Sequence, residues 1–294
     1  MTIEPAPART APVRAYDTLV LESIPEAPDT VTLVLDLGAR SDYRAGQYVS
    51  IHPKQFVGLR SFVAYLEHVK KRREPPRAYS MCSAPHEKYV AITIKEEVYD
   101  STQMEYPPLL SGYLVHQVRA GDRMETTGFA GAYVLPEDVE GRVDHILHLV
   151  AGSGSVPNYS MVKDSLQRHT NLRHTFVYSN KTWEDVIYKD ALADLARRHP
   201  DRLRVIHSLT RETGPTPADQ DVRRGRIGAD LLESVLTAEP NSMIFSCGPA
   251  ITVWERRACA ARGTTPPPRF LESMLSLLDS LKVPKERVKI EAYG

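Results

Sequence analysis

Short segments of alternating polar and apolar residues fill the first half of the chain. Thr30 to Asp36 alternates and is rich in β-branched residues, which predicts a strand. Tyr48 to Ile51 follows a turn at Gly46, and Tyr89 to Lys95 repeats the alternation. Arg123 to Thr126 follows the turn pair Gly121-Asp122. Short strands parted by turn residues predict a small antiparallel β-barrel. Beyond residue 140 the pattern changes. Asp144 to Val150 is nearly continuous in apolar residues, as in a strand buried on both faces. A helix is predicted at Asn158–His169, a strand at His174–Ser179, a helix at Ala191–Arg198 and a strand at Leu203–Ser208. A helix at Ile227–Leu236 and a strand at Met243–Ser246 follow. This alternation predicts βαβ units and a parallel sheet. The expected class is therefore β plus α/β: an N-terminal antiparallel β-barrel over residues 14–138 and a C-terminal parallel-sheet α/β domain over 139–294. Residues 1–13, rich in Ala, Pro and Thr, read as a flexible lead-in. Residues 54–76 look inserted and hold an amphipathic helix with Phe62, Leu66 and Val69 at helical spacing, ending in the basic run Lys70–Arg73. A second insertion, the Pro-rich stretch Arg262–Pro268, links two helical runs.

Composition removes several function classes. Lys plus Arg and Asp plus Glu both total 37, so no global field favours nucleic acid or an anionic membrane. No apolar run reaches the roughly 18–20 residues of a membrane span, and the N-terminus lacks the order of a secretory signal, so a cytoplasmic protein is expected. The three cysteines, Cys82, Cys247 and Cys259, are too few and too scattered for a disulfide framework or a protein-held iron–sulfur cluster. No metal site is expected, so any electrons this chain moves need an organic carrier.

Three constellations can carry such chemistry. In Arg77-Ala78-Tyr79-Ser80 the guanidinium suits a phosphate, and residues two apart on a strand share a face. Alone, this tetrapeptide also fits an ordinary exposed strand. Ala151-Gly152-Ser153-Gly154-Ser155-Val156-Pro157 lies between a buried strand and a helix, where glycines let a ligand approach the backbone. It also fits a plain tight turn. Cys247-Gly248-Pro249 follows the last apolar strand, a place where a thiol is often just a small buried group.

Taken in order with Ser111-Gly112-Tyr113-Leu114, these segments resemble the ferredoxin–NADP(+) reductase superfamily, whose FAD domain carries R-x-Y-S and then S-x-x-L. The resemblance implies that Arg77 binds the FAD pyrophosphate, Tyr79 stacks on the isoalloxazine and Ser80 sits beside flavin N5. The Ser111-Gly112 turn would cradle the pyrophosphate. Gly152, Ser153 and Gly154 match the superfamily's A-G-G-[ST]-G-x-x-P segment with one residue fewer, Ser153 corresponding to the hydroxyl that faces the nicotinamide. Cys247, with Gly248 and Pro249, matches the C-G-P near the nicotinamide–flavin contact. Thr210-Arg211-Glu212 and Gly225-Arg226 match segments at the adenosine end, where Arg211, helped by Arg226 or Arg224, would clamp a 2′-phosphate. Glu291 and Tyr293 match an E-x-Tyr ending whose aromatic covers the flavin, although here Gly294 follows.

The expected activity is hydride transfer from NADPH, or NADH, to bound FAD, with Ser80, Cys247, Glu291 and Tyr293 around the reacting atoms. The expected partner is a separate ferredoxin, flavodoxin or oxygenase component, which the Lys70–Arg73 run would steer if it is more than a solvated helix end. Two rival expectations remain open: a flavin or ferric reductase serving a small diffusible acceptor, and a non-catalytic relative that senses nucleotide.

Overall fold

The computed structural model describes residues 14–38, 42–169 and 171–293. The lead-in expected at residues 1–13 and the terminal Gly294 lie outside the described residues.

The first sheet holds six antiparallel strands: β1 (Arg14–Ala27), β2 (Thr30–Asp36), β3 (Tyr48–Ile51), β4 (Arg77–Ser80), β5 (Val90–Lys95) and β6 (Arg123–Ala130). Their spatial order is β4-β3-β6-β1-β2-β5. A bridge between Met81 and Ile92 joins the two ends of that order, so the sheet curls into a barrel. Alternation drives the curl: Leu33, Leu35, Val49, Ile51, Ile92 and Ile94 all point into one apolar core. Helix α1 (Arg60–Lys70) lies between β3 and β4, and α2 (Ser111–His116) between β5 and β6. The buried stripe of α1 is Val63 and Leu66 against Leu109, with Phe62 only partly covered. The expected stripe of Phe62, Leu66 and Val69 was thus rotated, because Leu109 and Tyr106 supply the apolar surface on the other flank.

The second sheet is parallel throughout: β7 (His145–Ala151), β8 (Arg173–Asn180), β9 (Leu203–Leu209), β10 (Asp221–Arg224), β11 (Ser242–Pro249) and β12 (Val288–Tyr293). Its order is β10-β9-β8-β7-β11-β12. Helices α3 (Ser155–Arg168), α4 (Lys189–Arg198), α5 (Ala229–Ala238), α6 (Val253–Ala261) and α7 (Phe270–Ser280) make the crossovers. The chain steps outward from β7 through β8, β9 and β10, then returns to place β11 on the other side of β7. That reversal opens a crevice at the carboxyl ends of β7 and β11, where open α/β sheets bind ligands. The glycine-rich turn leaves β7 there, and Cys247-Gly248-Pro249 ends β11 beside it.

The two domains share a polar seam. The Ser160 hydroxyl donates to the Ser83 carbonyl at 2.5 Å, and Tyr188 donates to Thr93. Lys163 pairs with Glu87 at 2.5 Å. The loop after β5 crosses to the second domain: the Ser101 carbonyl accepts from the Trp254 indole at 3.2 Å, and the Gln103 carbonyl accepts from Thr252 at 2.8 Å.

Candidate functional site

Residues from both domains converge at the seam. Tyr79 and Ser80 end β4; Ser80 is buried and Tyr79 half-buried. Opposite them, β11 and β12 run parallel with Cys247 aligned to Glu291 and Pro249 to Tyr293. Tyr293 packs against the cluster that holds Tyr133, Phe245 and Cys247, and its phenol feels the Ser80 hydroxyl, so the end of β12 comes up to the end of β4 in the other domain. Burial raises the Tyr293 phenol well above its ordinary range, helped by Cys247. Burial and the neighbouring Glu291 likewise push the Cys247 thiol up, so it stays protonated. Desolvation also raises the Glu291 carboxyl. A protonated thiol and phenol therefore share one partly desolvated region with a carboxyl group whose proton affinity burial has raised.

The glycine-rich turn packs directly behind this group. A Cβ on Gly154 would lie 2.2 Å from the Cys247 carbonyl oxygen, so only glycine lets the turn approach β11. A Cβ on Gly248 would meet Phe270 at 2.6 Å and Ala151 at 3.2 Å. Gly152 has φ +52, and the turn is a single 3-10 turn, Gly152–Gly154, running straight into α3. Ser153 is half-exposed at its tip.

The residues expected to hold the phosphates lie apart from this cluster. Arg77 is not free: it donates to the Pro75 carbonyl at 2.6 Å and to Glu74 Oε2 at 2.6 Å. Ser111 is buried at the start of α2, its Oγ accepting from the Glu97 amide at 3.1 Å. The Glu96 carboxylate stands 3.1 Å from where a Cβ of Gly112 would be. The donor set of Arg77, Tyr79, Ser80 and Ser111 fits a phosphorylated aromatic cofactor such as FAD. The side chain of Glu96 is 31% exposed and lies 2.8 Å from His116 Nε2, and Glu97 is exposed.

The residues expected at the adenosine end sit at the edge of the second sheet. The Thr210 amide donates to the Asn180 carbonyl at 2.9 Å and the Arg211 amide to Lys181 at 2.8 Å, fixing the loop after β9. Arg211 and Arg226 are exposed. Arg224 instead donates to the carbonyls of Glu212 at 2.5 Å and Gly214 at 2.6 Å, so it shapes the loop. In the basic run, Lys70 is turned inward onto Glu74 at 2.8 Å and over the Tyr106 ring, which leaves Lys71, Arg72 and Arg73 as its exposed cations.

Glu74, His148 and Asn158 carried no functional expectation. A carboxylate three residues before Arg77 and two histidines in an apolar strand, His145 and His148, were the available signals. Among the described residues no group of His, Cys, Asp and Glu could hold a metal ion, and no helix is long and apolar enough to cross a membrane.

Residues 149–253 match the family model "Oxidoreductase NAD-binding domain". The chain is 28% identical over 218 residues to the ferredoxin reductase component of 3-ketosteroid-9-alpha-monooxygenase from Mycobacterium tuberculosis, covering 74% of this chain and 49% of that protein. It is 25% identical over 290 residues to a flavohemoprotein from Halalkalibacterium halodurans, covering 96% of this chain and 60% of that protein. The chain thus spans 49% and 60% of the lengths of these two curated relatives. The solved flavohem-like FAD/NAD-binding domain of nitric oxide dioxygenase from Vibrio cholerae superposes with a TM-score of 0.68 at 22% identity, over 96% of this chain and 100% of that domain, which establishes the fold.

Proposed function

We propose that this chain is the flavin- and nucleotide-binding part of an NAD(P)H-dependent reductase of the ferredoxin reductase-like kind; the match of residues 149–253 to the oxidoreductase NAD-binding domain and the fold shared with a solved FAD/NAD-binding domain support it. It takes hydride from the nucleotide and passes electrons to a separate acceptor protein, a ferredoxin, flavodoxin or oxygenase component. The meeting of Ser80, Tyr293, Cys247 and Glu291 at the domain seam carries this reading. The M. tuberculosis relative, named as the ferredoxin reductase component of a monooxygenase, supports the choice of acceptor. A cytoplasmic setting belongs to the same reading, and three unpaired cysteines suit a reducing compartment.

Residues 14–138 are proposed as the FAD domain and 139–294 as the nucleotide domain. Bound FAD would supply the hydride acceptor. The chain supplies orientation and exclusion of water. Arg77 and Ser111 hold the phosphates, and Tyr79 lies against the ring. Tyr293 shields the face that nicotinamide must reach and swings aside for it. Ser153, Gly154 and Cys247 bound the nicotinamide end, and Arg211 with Arg226 favours the 2′-phosphate of NADPH over NADH.

The test is an absorbance spectrum of the purified protein followed by anaerobic titration with each nucleotide. Flavin bands that bleach with one equivalent of NADPH are expected. A colourless protein that FAD cannot reconstitute would end the reading. Arg211→Ala should raise the KM for NADPH roughly tenfold and leave that for NADH unchanged, since a bidentate charged contact is worth about 1.5–3 kcal/mol.

One observation favours a second reading, a flavin or ferric reductase with a small acceptor. Glu96 and Glu97 crowd the start of α2 and would repel a pyrophosphate. Loss of yellow colour on a desalting column, with turnover restored by added flavin, would select it.

A further inference from the structure

A run of buried side chains crosses the second domain from α3 to the glycine-rich turn. Ser165, His174, His148 and Asn158 are all nearly or fully buried. Ser165 Oγ lies 2.8 Å from His174 Nε2, His174 Nδ1 lies 3.0 Å from His148 Nε2, and His148 Nδ1 lies 2.8 Å from Asn158 Oδ1. Asn158 Nδ2 then donates to the Gly154 carbonyl at 3.2 Å and to the Tyr133 hydroxyl at 3.2 Å.

The protons in this run have one consistent arrangement. A backbone carbonyl only accepts, so the nitrogen of the Asn158 amide must face Gly154 and its oxygen must face His148. His148 then carries its proton on Nδ1, which leaves Nε2 to accept from the Nδ1–H of His174. The Nε2 of His174 in turn accepts from the Ser165 hydroxyl. Every link points the same way, from Ser165 to the carbonyl of Gly154.

The turn is fastened from a second side. The Tyr178 hydroxyl donates to the Gly152 carbonyl at 3.0 Å and contacts Ser155 Oγ at 2.9 Å. Both glycine carbonyls are therefore pinned from inside the core, while Gly154 abuts Cys247 with no room for a Cβ. Tyr133, the other partner of Asn158, precedes the second domain and packs edge-on against Phe245 in β11 at 5.2 Å. One amide thus ties the interior of the sheet, the glycine-rich turn and the segment arriving from the barrel.

We propose that Asn158 is a positioning residue for hydride transfer, and that His148, itself oriented through His174 and Ser165, fixes which way its amide points. The proposal rests on the reductase reading above. It assigns to this polar run the distance and tilt between the turn that receives nicotinamide and the strand that carries Cys247. Reaction across two stacked rings is sensitive to such placement, where a displacement of about 1 Å can cost roughly 100-fold in rate.

The experiment compares wild type with Asn158→Leu, His148→Leu and His148→Asn. Stopped-flow reduction by saturating NADPH is measured alongside calorimetric binding of NADP(+), flavin content and thermal melting. Asn158→Leu should slow hydride transfer by tenfold or more with flavin content unchanged. His148→Leu should slow it several-fold. His148→Asn, whose amide nitrogen takes the place of Nδ1, should restore the rate to within twofold while recovering little of the lost melting temperature. Variants that melt earlier yet reduce flavin and bind nucleotide within twofold of wild type would overturn the proposal, leaving the run as core cohesion alone. So would His148→Asn behaving like His148→Leu. If Asn158→Leu fails to fold, the pair of His148 variants decides. A wild type that binds nucleotide but is not reduced by it defeats the reductase reading instead; the calorimetric arm then decides here, a change of less than twofold in all variants counting against the proposal.

Discussion

Glu74 shows how one residue can join an added element to a binding group. The residue is 2% exposed, and its carboxylate meets Lys70 at 2.8 Å and Arg77 at 2.6 Å. Burial pushes that carboxyl up, but the two cations more than offset it and hold it below the ordinary range. Removing one member of such a group strands the others in a place water barely reaches. Glu74→Met should therefore lower stability by on the order of 3 kcal/mol in urea melts, and Lys70→Met should partly relieve the loss in the double variant. Strictly additive losses would show that the contact contributes nothing beyond its separate parts. Sequence alone offered Arg77 as a phosphate ligand. It could not show that Arg77 already has a carboxylate partner, because Glu74 reaches it only through the bend that ends the insertion.

Among elements, α1 has two faces with different consequences. Val63 and Leu66 pack on Leu109, in the segment that leads into Ser111. The other face carries Tyr65, 56% exposed, and ends in the exposed cations Lys71, Arg72 and Arg73. If this end steers an acidic electron acceptor, reversing those three charges should raise the KM for the acceptor protein several-fold at low salt. Reduction of a small dye should stay unchanged. Equal acceptor kinetics in the variant would remove the docking role. Strand periodicity was easy to read where one face is apolar: β2 and β3 match their expected ends to the residue. The strands β1, β10 and β12 carried no expectation. β10 is Asp-Val-Arg-Arg, held in place by the partner strand β9, and β12 is an edge whose Ile290 is 50% exposed. β10 shows no alternation; β12, Val-Lys-Ile-Glu-Ala-Tyr, alternates in sequence, but its exposure does not follow that alternation, since Ile290 is exposed and Glu291 half-buried.

At the scale of the molecule, the buried histidines set a limit on acid tolerance. Burial lowers His148 to about 4, and it lowers His207, between Tyr178 and Trp183, to about 4 as well. The unfolded chain titrates these groups near 6.5. Their neutral burial therefore costs nothing above about pH 6.5, and stability falls as pH drops from there toward 4, where the unfolded state binds the protons. The loss approaches roughly 3 kcal/mol per histidine over that window. Chemical denaturation at pH 7.5 and pH 5 should show it, and His207→Phe should flatten the slope. A slope unaltered in that variant would mean that His207 is not the group responsible.

The order of elements, the change from barrel to parallel sheet and the identity of most seam residues follow from local pattern and motif, because alternation, turn glycines and short signatures act over a few residues. The glycine-rich turn and Cys247-Gly248-Pro249 were both legible as motifs. That they touch was decided by the strand order, which sets β7 beside β11 across about 90 residues of intervening chain. The pairing of Arg77 with Glu74, the reach of Tyr293 to Ser80 and the polar run ending on Gly154 were likewise settled by tertiary structure. The last two join residues far apart in sequence, which leaves no periodic trace, and Glu74, though only three residues from Arg77, meets it only because the intervening chain bends back.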